Sequence, residues 1–455
     1  MLLKKKTLVK ISYLLLPLYL LFGCSSDNTT DPTDDTIDPV QFTGEIDFIR
    51  TYGGSNEDDA VSVASSIDGG YVILGSTQSN DGDIVDKTST DSDYWVLKVD
   101  PQGEIQWSRT YGGSGDERAS SISRTSDGGY IISGHSRSSD GDVSGNEGFH
   151  DYWILKIDAF GNILWDRNFG FAGSDQAFEV FETNDGGYFA TGFLDITASN
   201  GQGNDGRNGV RHGVGEFWAI KMDVNGNRIW RRFFGGTNND RSYDALQTSD
   251  GGFLLAGASE SDDFDITDGK GSYDFWVVRI DQDGDLVWTK SFGGSEIEIG
   301  YDAAHTSDGN YVMVGDTRSS DQDITNPLGN ADSWVVKFDD TGAMIWQKTF
   351  GGSSFESARS ITPLANGNYI VSGSTRSDNG DVTSNNGQND AWAFIIDEAG
   401  TMQFQVSVGG SDLDFANDAM ETSDSKIIIV GNSESNDFDI PLNRGSKDLI
   451  LIKVK

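Results

Sequence analysis

Short apolar segments alternate with segments rich in glycine, aspartate and serine along the chain from about residue 44. In one such unit, residues 119–123 alternate small or apolar residues with polar ones, a pattern typical of a half-buried β-strand. This strand is followed by the turn residues Ser126-Asp127-Gly128-Gly129. A second turn, Phe160-Gly161-Asn162, separates two of the later strands. The later strands are predicted at residues 130–134, 151–158 and 163–167. The pattern therefore predicts a four-stranded antiparallel sheet without helical periodicity.

This unit is one of seven repeats. A Gly-Gly pair recurs every 58 or 59 residues, except around one degenerate copy, Gly170-Phe171-Ala172-Gly173. Five residues before the first glycine of each copy lies an aromatic residue, and a second aromatic column lies in each third strand. The two columns contain all 11 tryptophans, so the repeat is a strong signal. The other first glycines are Gly53, Gly112, Gly235, Gly293, Gly351 and Gly409; the columns are Phe48, Trp107, Trp165, Trp230, Trp288, Trp346 and Phe404, and Trp95, Trp153, Trp218, Trp276, Trp334, Trp392 and Leu449.

The two ends of the repeat region indicate how the sheets are arranged. Residues 448–455 match a third strand and have no fourth strand after them, whereas residues 44–52 match the fourth strand at residues 103–111. The amino-terminal strand can therefore complete the last sheet, which a closed ring requires and an open solenoid does not. Stacking seven sheets around an axis also covers both faces of each sheet. The sequence predicts an all-β fold, a seven-bladed β-propeller closed by pairing of the amino-terminal strand with the carboxyl-terminal blade.

The repeats resemble those of bacterial extracellular propeller proteins with the signature W…FGGS…D…DGGY…G…DxW, and they are distantly similar to kelch blades. The resemblance covers residues 44–455. Some proteins with this repeat are labelled endoglucanase-like, so the resemblance implies a polysaccharide-acting glycoside hydrolase as one candidate function. No residue motif transfers that activity, because the chain lacks G-x-S-x-G, P-loop and H-E-x-x-H motifs and its four histidines have no metal-ligand spacing.

Residues 1–23 predict a signal peptide. Four lysines precede an apolar run of about twelve residues, which is too short for an ordinary membrane-spanning helix. Cys24, the only cysteine, follows this run after Gly23, and the arrangement resembles the lipobox of bacterial lipoproteins, in which the cysteine carries lipid. Residues 24–43 are rich in Asp, Thr, Ser and Pro, and we expect a flexible acidic tether there. The lysines are Lys4, Lys5, Lys6 and Lys10.

The residues after the cysteine bear on location. Ser25 follows the cysteine, and by resemblance to Gram-negative lipoproteins this implies the outer membrane. The acidic stretch that begins at Asp27 resembles the surface-export signal of Bacteroidota lipoproteins. We therefore expect a lipid-anchored protein of the outer membrane that faces the cell surface or the periplasm.

Charge and cysteine content exclude several classes of protein. The chain has 33 Lys and Arg and 72 Asp and Glu, a formal charge of −39; loss of the signal peptide leaves 29 basic and 72 acidic residues, a charge of −43. An acidic surface repels phosphates, so nucleic acid is not an expected partner. One cysteine excludes a disulfide-stapled domain. We expect a monomer that requires no cofactor.

Two acidic patterns fall on one predicted face of the ring. With the strands of each blade called a to d from the axis outward, both the d–a loops and the b–c loops lie on this face. In the d–a loops an acid lies five residues after the first glycine, and the third repeat is expected to lack it although Asp175 is nearby; these acids are Asp58, Glu117, Asp240, Glu298, Glu356 and Asp414. The b–c loops contain Ser-x-[Asp/Asn]-x-Asp, with the acids Asp81, Asp83, Asp140, Asp142, Asp263, Asp265, Asp321, Asp323, Asp381, Asp437 and Asp439.

Three interpretations of these acids remain open. Their side chains can bind loop backbone amides, which repetition in nearly every blade favours. The b–c acids can instead supply hard oxygen ligands to calcium, although no complete Asp-x-Asp-x-Asp-Gly loop with a distal Glu is present. Both sets can also form a docking surface for a cationic or carbohydrate ligand. The tryptophan columns are expected to pack between blades rather than to stack on sugars.

The third repeat departs from the pattern. Its b–c loop, residues 195–216, is longer and carries Arg207, Arg211 and His212, a basic group on an acidic face. Loops that differ from their scaffold often carry function, so these residues are candidate ligand contacts. We therefore expect a non-enzymatic, lipid-anchored binding or scaffold propeller for a protein or glycan ligand, with an endoglucanase-like glycoside hydrolase as the alternative.

Overall fold

Twenty-eight β-strands form seven four-stranded antiparallel sheets in the residues that the computed structural model describes, 42–206 and 213–455. In six sheets the strands follow one another in chain order from the inner to the outer edge. The seventh sheet has the order β1-β28-β27-β26, so the first strand of the described chain completes the last blade. The predicted seven-bladed propeller and its mode of closure are therefore confirmed.

The strand bounds follow the repeat. Blade 1 contains β2 (Ser62–Ser65), β3 (Tyr71–Thr77), β4 (Asp93–Val99) and β5 (Ile105–Tyr111), and blade 2 contains β6 (Glu117–Arg124), β7 (Tyr130–Ser136), β8 (Asp151–Ile157) and β9 (Ile163–Phe169). Blade 3 contains β10 (Gln176–Glu182), β11 (Tyr188–Asp195), β12 (Gly215–Met222) and β13 (Arg228–Phe234), and blade 4 contains β14 (Asp240–Gln247), β15 (Phe253–Ser259), β16 (Asp274–Ile280) and β17 (Leu286–Phe292). Blade 5 contains β18 (Glu298–His305), β19 (Tyr311–Thr317), β20 (Asp332–Phe338) and β21 (Met344–Phe350), and blade 6 contains β22 (Glu356–Pro363), β23 (Tyr369–Thr375), β24 (Asp390–Ile396) and β25 (Met402–Val408). Blade 7 contains β26 (Asp414–Glu421), β27 (Ile427–Ser433), β28 (Asp448–Val454) and β1 (Ile46–Tyr52).

The closing sheet joins the two ends of the described chain at the rim that carries the c–d hairpins. Strand β1 pairs antiparallel with β28, from Ile46 opposite Val454 to Tyr52 opposite Leu449. Just before β1, the backbone N–H of Thr43 donates to the carbonyl of Lys455 at 2.9 Å. Any segment that precedes Phe42 is therefore joined covalently to the propeller at this rim. In the described residues, no helix is long and apolar enough to cross a membrane.

The aromatic column in the third strands lies in the core. Each of its six tryptophans is fully buried between neighbouring sheets, which confirms the expectation that they pack between blades. Close packing of such large side chains supplies much of the apolar burial that holds one blade against the next. The six are Trp95, Trp153, Trp218, Trp276, Trp334 and Trp392.

The outer aromatic column is less buried and contacts the next blade. The ring of Trp107 packs on Gly161 in the c–d hairpin of the following blade, and Trp165 packs on Gly226 in the same way. Phe404 packs on Gly44, which carries the pattern across the closure. The hairpin glycines have positive φ, and a side chain there would collide with the aromatic ring.

A buried basic side chain braces the a–b turn of six blades. Lys156 on β8 is 2% exposed and bonds Asp127 of the Asp-Gly-Gly turn at 3.0 Å, while Asp127 itself is half exposed. Blade 6 has Asn366 and Ile395 at the two equivalent positions, so both charges are absent together. The chain therefore contains its own neutral version of the pair. The other pairs are Lys98 with Asp68, Lys221 with Asp185, Arg279 with Asp250, Lys337 with Asp308 and Lys453 with Asp424.

Asp127→Asn alone is expected to lower the free energy of unfolding by about 1–3 kcal/mol, because it leaves the Lys156 ammonium buried without a charged partner. Asp127→Asn with Lys156→Ile, the combination found in blade 6, is expected to cost less than the single change. Urea unfolding of both single variants and the double variant measures the coupling. Additive losses would show that the two side chains do not act as a pair.

Candidate functional site

The main cavity of the described residues lies on the propeller axis, where the seven inner strands meet. It has a volume of about 560 Å³ and is lined by residues from the inner strand of every blade. Each of the six inner strands from β6 to β26 contains a β-bulge, for example between Ala177 and Glu179 in β10. A bulge places an extra residue on one side of the strand. Two consecutive residues of the inner strand therefore line the channel in these six blades, and Val61 and Ser62 line it in blade 1.

These consecutive pairs differ between blades. Blades 3, 4 and 5 carry an aromatic residue followed by an acid, and blade 7 carries Asn417 followed by an acid, whereas the other three blades carry serine at the second position. The pairs, from blade 1 to blade 7, are Val61 and Ser62, Ser120 and Ser121, Phe178 and Glu179, Tyr243 and Asp244, Tyr301 and Asp302, Arg359 and Ser360, and Asn417 and Asp418. The channel thus lacks the sevenfold symmetry of the scaffold.

The aromatic residues form a continuous arc. The rings of Phe178 and Tyr243 are 5.1 Å apart, and those of Tyr243 and Tyr301 are 5.2 Å apart. The guanidinium of Arg359 lies over the Tyr301 ring at 3.9 Å from its centre. This contact shows that the negative face of the Tyr301 ring already accepts a cation. Because these residues precede the acids in the inner strands, the arc lies on the side of the d–a and b–c loops.

The acids below this arc also join neighbouring blades. Asp244 accepts a hydrogen bond from the backbone N–H of Ala303 in the next blade at 3.0 Å, and Asp302 accepts one from Ile361 at 2.6 Å. Asp418 accepts one from Val63 at 2.9 Å, across the closure of the ring. The bulge leaves an N–H without a ladder partner, and the side chain of the preceding blade satisfies it.

The channel raises the pKa of all four acids. Burial, followed by repulsion from Asp302, raises the pKa of Glu179 to about 8. Burial also raises the pKa of Asp418 to about 6. Asp244 and Asp302 hydrogen-bond to each other, and burial together with neighbouring carboxylates raises the pKa of both well above the usual range. At neutral pH the raised pKa values therefore favour the protonated form of Glu179, Asp244 and Asp302.

The predicted d–a acids are buried structural residues in this fold. Each is 0% exposed and accepts the N–H of the residue after the first glycine at 2.7–2.9 Å. Most also accept a hydroxyl from the end of the second strand, as Asp58 does from Thr77. These contacts agree with the first of the three interpretations, in which the acids accept hydrogen bonds from backbone amides of the loops. The acids are Asp58, Glu117, Asp240, Glu298, Glu356 and Asp414.

The expectation that blade 3 lacks this acid is wrong. Asp175 lies five residues after Gly170, is 0% exposed and accepts the N–H of Phe171 at 2.7 Å. Its other oxygen accepts the N–H of Asp195 instead of a hydroxyl. The bulky residues of the degenerate Gly170–Gly173 segment hide the equivalence in the sequence, but the carboxylate occupies the same place, so the ring has seven members.

The b–c acids also have partners within the protein. In blade 1, Asp81 accepts the N–H of Ser55 at 2.7 Å and Asp83 accepts that of Gly53 at 3.0 Å. The equivalent acids of blades 2, 4 and 5 make the same two contacts, as do Asn379 and Asp381 in blade 6. In blade 7, Asp437 makes the first contact, whereas Asp439 accepts from the side-chain amide of Asn386 at 3.1 Å. Among the described residues, no group of three or more His, Cys, Asp or Glu side chains is arranged to hold a metal ion. Calcium binding by these loops stays a prediction.

A third set of acids explains the glycine pairs. A buried acid lies at the start of each third strand, as the first residue in six blades and as the second residue, Glu216, in blade 3. In five blades one oxygen of the first-residue aspartate has no hydrogen-bond partner. A Cβ at Gly53 would lie 2.6 Å from the free oxygen of Asp448 and 2.8 Å from Asp58. Only glycine lets the two carboxylates approach the backbone so closely. Burial raises the pKa to about 6 in Asp93, Asp151, Asp274, Asp332, Asp390 and Asp448.

The structure does not describe the basic group predicted in blade 3. Arg207, Arg211 and His212 lie outside the described residues. The described part of this b–c loop begins with the single helical turn α1 (Ile196–Ser199), which Asp195 caps by accepting the N–H of Ala198.

The channel residues are the part of the site that sequence reasoning missed. A signal was present, because in every repeat they lie seven and six residues before the turn position that is Asp in six blades and Asn366 in blade 6. Acids at that column in only four repeats, within strands of otherwise small residues, mark a departure from the scaffold. The repeated loop acids drew attention away from it.

Several solved structures are similar to this chain. No protein-family model matches the chain, and neither does any curated protein. The chain is similar to the Pan2 WD40 domain of Neurospora crassa, with 10% identity, a TM-score of 0.47, and coverage of 88% of this chain and 97% of that one. It is also similar to the extracellular domain of the putative hybrid two-component system BT4673 from B. thetaiotaomicron, with 12% identity, a TM-score of 0.46, and coverage of 90% of this chain and 43% of that one. A third similar structure is that of puromycin hydrolase, with 12% identity, a TM-score of 0.46, and coverage of 84% of this chain and 51% of that one. The chain thus spans about half or less of the last two, and the likeness concerns the fold alone.

Stability is expected to fall as the pH rises from 5 to 8. A carboxyl group whose pKa is raised in the folded chain binds its proton more tightly when folded, so its contribution is present below about pH 4 and lost as the pH passes the folded value. The third-strand aspartates lose their contribution to stability near pH 6, and Glu179 loses its contribution near pH 8. Melting temperatures measured across this range test the expectation. Glu179→Gln should flatten the upper part of the profile, and a higher melting temperature at pH 8 than at pH 5 would contradict the assignment.

Proposed function

We propose that this protein is a lipid-anchored, non-enzymatic binding module of the outer membrane. Its ligand is a protein with a basic segment, and the channel mouth on the side of the d–a and b–c loops receives a cationic group from it. The observation that carries this proposal is the aromatic arc of Phe178, Tyr243 and Tyr301 above the acids of the same three blades.

The asymmetry of the channel supports a ligand role. The scaffold needs an acceptor at the bulge, and serine serves in blade 2, where Ser121 accepts the N–H of Val180 at 3.0 Å. The scaffold does not need a carboxylate for this hydrogen bond, yet blades 3, 4, 5 and 7 have one, and burying a carboxylate costs free energy. The three neighbouring aromatic residues are likewise absent from the equivalent positions of the other blades. Features that depart from a repeated scaffold at a cavity are those expected of a binding site.

Electrostatics favour a cationic group. Among the described residues that line the channel, Arg359 is the only lysine or arginine, whereas Glu182 and the four acids of the inner-strand pairs share the cavity with it. An ammonium or guanidinium group that entered the channel would replace protons on these acids and would stack on the free faces of the arc. The strongly acidic chain would also attract a basic partner over longer range.

The carboxylate geometry favours binding over glycoside hydrolysis. The two-carboxylate mechanism needs acids about 5–10 Å apart on either side of the bond that is cleaved. Asp244 and Asp302 instead share a hydrogen bond, and Asp302 and Asp418 are engaged with backbone amides. These acids are therefore arranged to hold a ligand rather than to exchange protons across a substrate.

The position of the amino-terminal strand supports the anchored arrangement. The described chain begins at the rim of the c–d hairpins, whereas the aromatic arc lies toward the opposite loops. The rim at which the described chain begins is therefore not the rim of the channel mouth.

Cys24→Ala is expected to move the protein from the membrane fraction to the soluble fraction, because the acyl chains are lost while the propeller is unchanged. Fractionation of bacterial cells, with labelled fatty acid incorporation measured in parallel, tests this. Ser25→Ala serves as the matched control. Membrane retention of an unlabelled Cys24→Ala protein would contradict lipid anchoring.

Tyr243→Ala is expected to weaken binding of a lysine-rich peptide about tenfold, since it removes the central ring of the arc. Ser120→Ala, at the same position in blade 2, is the matched control and should leave binding unchanged. Titration calorimetry in buffers of different ionisation enthalpy should also detect proton release from the channel acids. Equal affinity of wild type and Tyr243→Ala would count against the channel as the site.

A further inference from the structure

The wall of the channel already holds one guanidinium group, which belongs to the protein itself. Arg359 occupies in blade 6 the position that Tyr301 has in blade 5, and its guanidinium lies 3.9 Å from the centre of the Tyr301 ring. The charge of Arg359 also interacts with the carboxylate of Asp316, whose pKa it lowers in opposition to burial. A planar cation is therefore compatible with the aromatic wall of this channel.

The rest of the arc offers further aromatic surface to the cavity. Phe178 and Tyr243 line the channel, and both side chains are half-buried. The rings of Phe178 and Tyr243 are inclined by 40° to each other, and those of Tyr243 and Tyr301 by 54°. Because the rings are inclined rather than stacked face to face, they do not cover one another. A second cation can therefore pack on the arc next to Arg359.

Two carboxyl groups converge one residue below these rings. The backbone N–H of Ala303 donates to Asp244 at 3.0 Å and to Asp302 at 2.8 Å. The other oxygen of Asp302 accepts the N–H of Ile361 at 2.6 Å. These hydrogen bonds fix the two carboxyl groups side by side, and each bonded oxygen keeps a second lone pair for another donor. The pair thus presents neighbouring acceptors below an aromatic surface.

This combination distinguishes arginine from lysine. A guanidinium is planar, stacks on aromatic faces and carries N–H donors in a fork that matches two neighbouring acceptors. It is also more weakly hydrated than an ammonium, so less favourable hydration is lost when it enters a cavity. An ammonium is compact and strongly hydrated, and burial lowers its pKa. Net charge attracts both side chains, but the flat wall above paired acceptors fits the guanidinium better.

The depth of the arc limits how the cation is presented. Tyr243 lies three residues after Asp240, the first residue of β14, and this separation corresponds to about 10 Å at about 3.3 Å per residue. Asp240 is itself buried under the loops of that face. The cationic group therefore has to come from a long side chain on a segment that projects into the channel mouth.

We infer that the channel is selective for arginine and receives an arginine side chain from a projecting segment of the partner. The guanidinium stacks on Tyr243, next to the place that Arg359 takes on Tyr301. Its N–H groups donate to the paired carboxyl groups of Asp244 and Asp302. This inference rests on the proposed function and narrows its ligand from any basic segment to one that presents arginine. Tyr243, the central ring of the arc, is then a specificity-determining residue.

Three synthetic peptides that differ only in one central residue, arginine, lysine or citrulline, test this inference with the full-length protein. Titration calorimetry is expected to show that the wild type binds the arginine peptide about tenfold more tightly than the lysine peptide. Citrulline keeps the planar shape but lacks the charge, so its peptide should also bind about tenfold or more weakly than the arginine peptide. Equal affinity for arginine and lysine, a preference for lysine, or citrulline binding as tight as that of arginine would overturn the inference.

Tyr243→Leu keeps an apolar side chain of similar length but removes the aromatic face. It should lower the ratio of arginine to lysine affinity to about threefold or less, and this ratio does not depend on the fraction of folded protein. Ser120→Ala, at the same position in blade 2, is the matched control and should retain the full ratio. An unchanged ratio in Tyr243→Leu would contradict the role of the ring. If no charged peptide binds the wild type, the proposed function fails and the inference with it, whereas equal binding of the arginine and lysine peptides removes the inference alone.

Discussion

A buried carboxylate ties the parts of each blade junction together. Five residues after the first glycine, it accepts a backbone amide of the glycine turn and, in most blades, a hydroxyl from the end of the second strand. An acid from the start of a third strand approaches the same glycine from the other side. Since both carboxylates are shielded from water, their positions fix the loop that connects one blade to the next. The glycine pairs and the loop serines and aspartates follow from this requirement.

This arrangement changes the meaning of the acidic composition. A formal charge of −39 suggests a surface property, yet two acids at every junction are buried and several have a raised pKa. Part of the acidity therefore belongs to the interior of the fold, where proton binding and hydrogen bonds compensate it. The acids that remain on the surface still disfavour anionic partners and favour basic ones.

Function is best sought where the repeats differ. The seven blades share their junction acids, and six of them share the buried tryptophan and six the turn ion pair, and such features maintain the ring. The channel arc of Phe178, Tyr243 and Tyr301 breaks the repeat at the axis. In a protein built from copies, the other blades act as internal controls that show what the scaffold alone requires.

The tryptophan columns and the matching ends of the chain were enough to predict seven blades and their closure, because strand period and repeat spacing are local properties of a sequence. The same reasoning overlooked Asp175, since the residues around it are degenerate, and it treated the loop acids as candidate ligand contacts although each has partners within the protein. Whether a carboxylate faces solvent, a backbone amide or a channel depends on residues far apart in the chain. Only the assembled ring brings Asp244 to Asp302, because they lie in neighbouring blades that pack around a common axis, and Asp448 to Gly53, because closure of the ring pairs β28 with β1.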